Sequence, residues 1–212
     1  MEKVIYRTIQ KKDYPQVQNL ICNSFGLDRY VSDARALEII KKRYLSSSLA
    51  EQTFNCVAEI DGQVVGVIMG ASKQDNHKVF HLGQTMASLF YTISLVLFHA
   101  KACKGQGSIH KAYEELIRGR KKQYDGVLTL FIVQDTFRGL GLGKELLKRI
   151  RTYWNSMGTR HSYLYTDDTC NYGFYEHMGF TCAARTEVTI LRCGKEENMD
   201  VYLYEDHGEE NA

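Results

Sequence analysis

The residues best placed to do chemistry are three glycines. The segment Val133-Gln134-Asp135-Thr136-Phe137-Arg138-Gly139-Leu140-Gly141-Leu142-Gly143-Lys144 joins an apolar run of strand length, Val127 to Val133, to residues Leu146, Ile150, Tyr153 and Met157 at helical spacing. Glycine lets the backbone approach a ligand closely, and the first amides of a helix have no partner within it. With the positive end of the helix dipole, those amides form a site for phosphate oxygens, to which Arg138 and Lys144 add charge. A turn of this kind can also serve only to redirect the chain. Two familiar phosphate loops do not fit. A Walker loop needs glycine at position 138 and a hydroxyl residue at 145, where Arg138 and Glu145 stand; a dinucleotide fingerprint needs G-x-G-x-x-G, and here the spacing is G-x-G-x-G.

Other candidates carry less. His77 and His81 have a spacing that zinc sites use, but the sequence offers no third ligand, so no metal is expected; His81 or His110 could serve as a base. The six cysteines, Cys22, Cys56, Cys103, Cys170, Cys182 and Cys193, contain no C-x-x-C pair. Cys170 has no histidine beside it and reads as a structural thiol rather than a nucleophile.

These residues need a scaffold, and the pattern supplies one. Val4 to Ile9 alternates as a strand, followed by a helix with Asp13 as N-cap and Pro15 in its first turn. A second helix, capped by Ser32 or Asp33, sets Leu37, Ile40 and Tyr44 on one face and pairs Glu38 with Lys42. Thr53 to Ile60 alternates again, Asp61-Gly62 supplies a tight turn, and Gln63 to Gly70 returns. Residues 72–124 break the strand rhythm and read as a helical insertion between the third and fourth strands, with Ser108 capping its second helix. Val127 to Val133 reads as a central strand covered on both faces. Beyond the glycine turn come a helix ending at Gly158, a strand from Ser162, a short helix from Asn171 closed by Gly179, and two final strands.

The pattern of Arg138, Gly141 and Gly143 after a strand ending at Val133 resembles the acetyl-CoA-binding motif of the GNAT acetyltransferase superfamily. Phe174-Tyr175-Glu176-His177-Met178-Gly179-Phe180, about thirty residues on, resembles the second motif of that family, and the order of elements is similar outside the insertion. The resemblance implies one α+β domain over residues 1–212: a mixed, mostly antiparallel sheet of about seven strands flanked by helices. It implies acetyl-CoA as acetyl donor, with backbone of Ile132 and Val133 along pantetheine and the amides of Arg138, Gly139, Leu140, Gly141, Leu142, Gly143 and Lys144 on the pyrophosphate. Asp168 or Asn171 would touch pantetheine or cap the short helix. The implied reaction is direct transfer of acetyl to a primary amine of a small molecule or peptide, with Tyr175 as general acid. A phenol of ordinary pKa about 10 is protonated at neutral pH and can return a proton to a leaving thiolate. Many members carry a glutamate on the central strand as base, whereas Leu128-Thr129-Leu130-Phe131 has no carboxylate. That departure keeps open a second function, an acyl-CoA sensor without turnover.

Composition bounds the partners. The chain has 212 residues, 44% hydrophobic and 25% charged, with a net charge of +2, which excludes a disordered chain and argues against a dedicated nucleic-acid binder. Charge is uneven: Lys101 to Tyr124 sums to +5 (seven basic, two acidic), and Lys195 to Ala212 to −6 (one basic, seven acidic). The most apolar run, Met86 to Ala100, is shorter than the roughly 20 residues of a membrane span, so no membrane association is expected. Scattered thiols and the absence of an apolar leader at Met1 to Arg7 point to the cytoplasm. Exposed edges on the last two strands leave room for a homodimer.

Overall fold

The computed structural model describes residues 3–75, 82–99, 106–192 and 195–208. Seven strands form one sheet: β1 (Ile5–Arg7), β2 (Phe54–Ile60), β3 (Gln63–Ser72), β4 (Gly126–Val133), β5 (Ser162–Asp167), β6 (Thr181–Arg192) and β7 (Lys195–Asp206). Their order is β1-β2-β3-β4-β5-β7-β6, and every pairing is antiparallel except β4 with β5. Among the described residues six α-helices flank it: α1 (Tyr14–Phe25), α2 (Ala34–Glu51), α3 (Leu82–Phe98), α4 (Gln106–Leu116), α5 (Leu142–Met157) and α6 (Gly173–His177). The mixed α/β class and the mostly antiparallel seven-stranded sheet match the sequence reading.

Local differences have physical causes. β1 stops at Arg7 because the chain leaves the ladder there: the Ile9 amide donates to Asn55 Oδ1 at 2.8 Å. Asp13 does not cap α1 with its side chain. Its carboxylate instead accepts two hydrogen bonds from Arg7, at 2.6 and 2.9 Å, and one from the Gln10 amide, and Arg7 also holds Glu59. Asp33 does cap α2, accepting from the amides of Arg35 and Ala36. Glu38 pairs with Lys41 at 2.6 Å rather than with Lys42. The turn Asp61-Gly62 has both residues at positive φ, 50° and 81°, as a two-residue hairpin requires. Ser108 lies inside α4, which starts at Gln106, and is not its cap. β7 runs between β5 and β6, so of the last two strands only β6 forms an edge of the sheet.

One face of the sheet packs on α5, whose Leu146, Leu147 and Ile150 are fully buried against β2 to β4. Burying each such side chain contributes about 1.5–3 kcal/mol. The other face receives α1 and α2 through Val17, Ile21, Leu45 and Leu49. α4 packs on β6 and β7, and α3 lies outside α2, where the hydroxyls of Ser88 and Ser47 meet at 2.8 Å. The two charged runs meet within the molecule: Arg120 reaches Glu205 at 3.5 Å. Among the described residues no helix is long and apolar enough to cross a membrane.

Candidate active site

β4 is not an uninterrupted sheet strand. It pairs with β3 as far as Val133↔Gly66, but with β5 only at Gly126↔Ser162 and Val127↔Tyr163. From Leu128 onward the two parallel strands part, and the β5-facing edge of β4 has no strand partner. A bulge accompanies the divergence: Met69 pairs with Leu130 and Gly70 with Leu128, leaving Thr129 as the extra residue, its Oγ1 donating to the Met69 carbonyl at 3.2 Å. A bulge re-aims side chains. Leu128 therefore joins the α5 cluster, whereas Leu130 and Ile132 pack under α1 and α2, and Phe131 and Val133 face the α5 side. The expected cover on both faces is present, but the strand changes faces midway to achieve it. Gly70 cannot be larger here: a Cβ would stand 2.5 Å from Ile150 Cδ1 and 2.6 Å from the Val127 carbonyl.

Beyond Val133 the chain makes a 3-10 turn at Asp135–Phe137, extends at Arg138, and passes through Gly139 and Gly141 at φ of 81° and 76° before α5 begins. L-residues pay for that left-handed conformation; glycine does not. None of the amides from Gly139 to Lys144 has an acceptor among the described residues. They form a continuous set of free donors at the start of a 16-residue helix. Arg138 is held by Asp135 at 2.7 Å and Lys144 is exposed. Gly143 is tight for a different reason, since a Cβ there would meet the Phe174 ring at 3.3 Å. The glycine turn and α6 are thus packed together.

α6 presents Tyr175 to the opening. Its ring lies among Phe131, Phe174, Phe180 and Tyr204, with centroids 6.2, 5.8, 5.6 and 6.1 Å away. The contact with Phe131 sets it beside the unpaired stretch of β4. The residue is only half-buried, yet its surroundings are crowded enough that burial, then the neighbouring Cys170, Tyr44 and Asp167, hold the phenol well above its ordinary pKa. Its hydroxyl has no hydrogen-bond partner among the described residues and stays protonated across the physiological range. A protonated, unengaged phenol beside an open strand edge can donate to a ligand.

The other expected residues fall as follows. Ile132 is buried and Val133 half-buried, so what they can offer a ligand is backbone. Asp168 is tied to β7, its amide donating to the Asp200 carbonyl and its carboxylate accepting from the Asp200 amide at 3.2 Å. Neither it nor Asn171 caps α6, which has no side-chain cap; Asn171 contributes its carbonyl to the Phe174 amide instead. The Cys170 thiol is pushed up to about 11, mainly by burial, in keeping with a structural thiol. His110 is exposed on α4, 3.5 Å from Glu114. His77, His81, Cys103 and Cys193 lie outside the described residues. Among the described residues no group of His, Cys, Asp or Glu is arranged to hold a metal.

Sequence reasoning passed over Asp167 in favour of its neighbour Asp168. The signal was available: in β5, Ser162, Leu164 and Thr166 are buried on one face, which puts Tyr163, Tyr165 and Asp167 together on the other.

Comparison with known proteins agrees with this geometry. The model of the Acetyltransferase (GNAT) family matches residues 15–180. The chain belongs to that family and is an acyltransferase by that membership; the family uses acetyl-CoA. Among solved structures it is similar to an N-acetyltransferase from Staphylococcus aureus Mu50, at 14% identity and TM-score 0.57, covering 97% of this chain and 98% of that one. It is also similar to yncA from Salmonella typhimurium, solved with its cofactor acetyl-CoA, at 14% identity and TM-score 0.56, covering 99% and 96%. A third is NAA60 of Arabidopsis thaliana in complex with a bisubstrate analogue, at 16% identity and TM-score 0.54, covering 99% and 100%. At such identities the likeness is one of fold. A comparison with curated proteins yields no match.

Proposed function

We propose that this chain is an N-acetyltransferase that passes the acetyl group of acetyl-CoA to a primary amine of a small molecule or peptide, by direct attack while both substrates are bound. The observation that carries the reading is the run of unpartnered amides from Gly139 to Lys144, set where β4 parts from β5 and packed against the helix that bears Tyr175. In this reading the amides hold the pyrophosphate, with Lys144 and Arg138 adding charge. Pantetheine lies along the open edge of β4, on the backbone of Ile132 and Val133. Asp168 and Asn171 border that arm through the loop before α6.

The chemistry then balances simply. The acceptor ammonium loses a proton to water, and the amine attacks the thioester carbonyl, forming a C–N bond and an oxyanion that a free β4 amide can stabilise. The C–S bond breaks as the oxyanion collapses. Tyr175 gives its proton to the departing thiolate and recovers one from the acylated nitrogen, leaving CoA thiol, the amide and one proton released. A phenol held above its ordinary pKa starts the cycle protonated at neutral pH, as a donor must.

Thiol release on mixing the protein with acetyl-CoA and a panel of amines tests the reading. Turnover that collapses in Tyr175→Phe supports it. Tight acetyl-CoA binding with no turnover across the panel replaces it with the sensor, which the carboxylate-free stretch Leu128 to Phe131 favours. The free thiols of Cys22, Cys56, Cys170 and Cys182 suit a reducing cytoplasm, and the free edge of β6 is the surface through which two copies would pair.

A further inference from the structure

α3 is turned inside out with respect to an ordinary surface helix, which faces its apolar stripe to the core. Its 17 residues include no charged side chain, and polar ones are turned to the protein. Ser88 meets Ser47 of α2, Gln84 donates to the Tyr14 hydroxyl at 3.4 Å, and Thr92 donates to the Ser88 carbonyl at 2.8 Å. Leu95 is its one buried residue, in a small cluster with Val31, Ala36 and Ile40.

The other large aliphatic residues look outward. Leu82, Met86, Leu89, Ile93 and Val96, 48–63% exposed, follow one another at alternating intervals of four and three. Phe90 and Leu97, still more exposed, flank them. With 3.6 residues per turn, all seven fall within an arc of about 120°. An apolar repeat of 3.5 residues is the seam by which one helix seats its side chains between those of another. A patch on the order of several hundred Å² marks an interaction site and supplies much of the roughly 800 Å² per partner of a stable interface.

Three occupants could cover it: the rest of this chain, a lipid surface or a second copy. The stretches outside the described residues are at most six residues long, fewer than two helical turns, against a helix of about 25 Å. A bilayer holds a flat-lying helix through Lys and Arg beside its apolar face, and it imposes no 3.5-residue register. α3 has no such cation, and the residue after its end, His99, is held by the Asp33 carboxylate at 2.8 Å. A second copy fits. Run antiparallel, the seam sets Met86 opposite Ile93, Leu82 opposite Val96 and Leu97, and Leu89 opposite Phe90. Each apolar residue then meets another, and no charge of either helix is buried.

We propose that a second copy of this chain covers α3, the two helices packing antiparallel about a two-fold axis between Leu89 and Phe90. The contact is separate from any made at the free edge of β6, and it does not depend on the acetyltransferase reading.

Sedimentation equilibrium of the full chain tests it. The wild-type assembly is expected to halve in mass in Met86→Glu and in Ile93→Lys, each weakening self-association at least a hundredfold. Both positions are exposed in a single copy, so circular dichroism should be unchanged. Mixing the two variants places the new charges opposite one another only if the helices are antiparallel, and is expected to restore pairing at least tenfold. Phe98→Glu removes a more exposed apolar residue that lies off the seam, and it should leave the mass as in wild type. A wild-type monomer, or a mass unchanged in both seam variants, as pairing through β6 alone would give, overturns the inference. So does a mixture that stays dissociated, equal dissociation by Phe98→Glu, or flotation of wild type, but not Met86→Glu, with phosphatidylserine vesicles.

Discussion

The two ends of the opening between β4 and β5 are made of different material. At the end where the proposed reading puts the acetyl donor, the available groups are backbone amides, Gly139 to Lys144, left without acceptors at two glycines of positive φ and the start of α5. At the other end, where that reading puts the acceptor, they are side chains gathered from four separate elements: Tyr44 of α2, Tyr113 of α4, Tyr165 and Asp167 of β5, and Tyr175 of α6. Backbone donors recognise what every substrate pair shares, the diphosphate of the carrier, and they need only a local sequence pattern. Side chains recognise what differs between acceptors, and they can change one at a time without disturbing the fold. In the proposed reading the contrast separates a constant binding site from a selectable one within 212 residues.

Substitutions can break this division. Tyr175 stands where the two ends meet, so Tyr175→Phe should give the largest loss, a fall in kcat of about 10²–10⁴. Acetyl-CoA affinity by calorimetry should not move. Gly141→Val should act on the donor end alone: a side chain at φ of 76° costs about 1–2 kcal/mol, and an acetyl-CoA Kd roughly tenfold weaker should accompany an unaltered ranking of amines. A changed amine ranking in Gly141→Val would show that the two ends are not separable. Lys144→Gln should weaken acetyl-CoA by only about 0.2–1 kcal/mol, an effect that fades as salt is raised, because the side chain is exposed.

Asp13 serves as the control, lying in the Arg7 and Glu59 network rather than at either end. Arg7 holds the Asp13 carboxyl below its ordinary value. A lowered folded pKa contributes stability that is fully present above the unfolded value and is lost as pH falls through the folded one. Thermal stability should therefore drop below about pH 4. Asp13→Asn should lower Tm at neutral pH and flatten that acid limb, while amine ranking and acetyl-CoA affinity stay as in wild type.

The run of free amides was legible in the sequence because its origin is local. Alternating glycines after an apolar strand and before a helical repeat predict free amides wherever the sheet is, and the structure has them. The hairpin at Asp61-Gly62 and the cap at Asp33 were legible for the same reason. The parting of β4 from β5 was not, because strand pairing and the bulge at Thr129 that accompanies it are set by contacts between distant segments, such as Gly70 against Ile150 and Val127. Asp168 and Asp167 are adjacent in sequence, and only the alternation of β5 sets Asp167 on the face that carries Tyr163 and Tyr165. The acceptor end stayed hidden because Tyr44, Tyr113 and Tyr165 have no shared spacing; helix and strand packing alone brings them together.

Hydrogen exchange tests the central claim most directly. Amides from Gly139 to Lys144 without acceptors should exchange rapidly in the free protein and become strongly protected when acetyl-CoA is added, together with the open edge of β4 near Ile132 and Val133. Unchanged exchange across Gly139 to Lys144 while CoA thiol is being released would contradict the account.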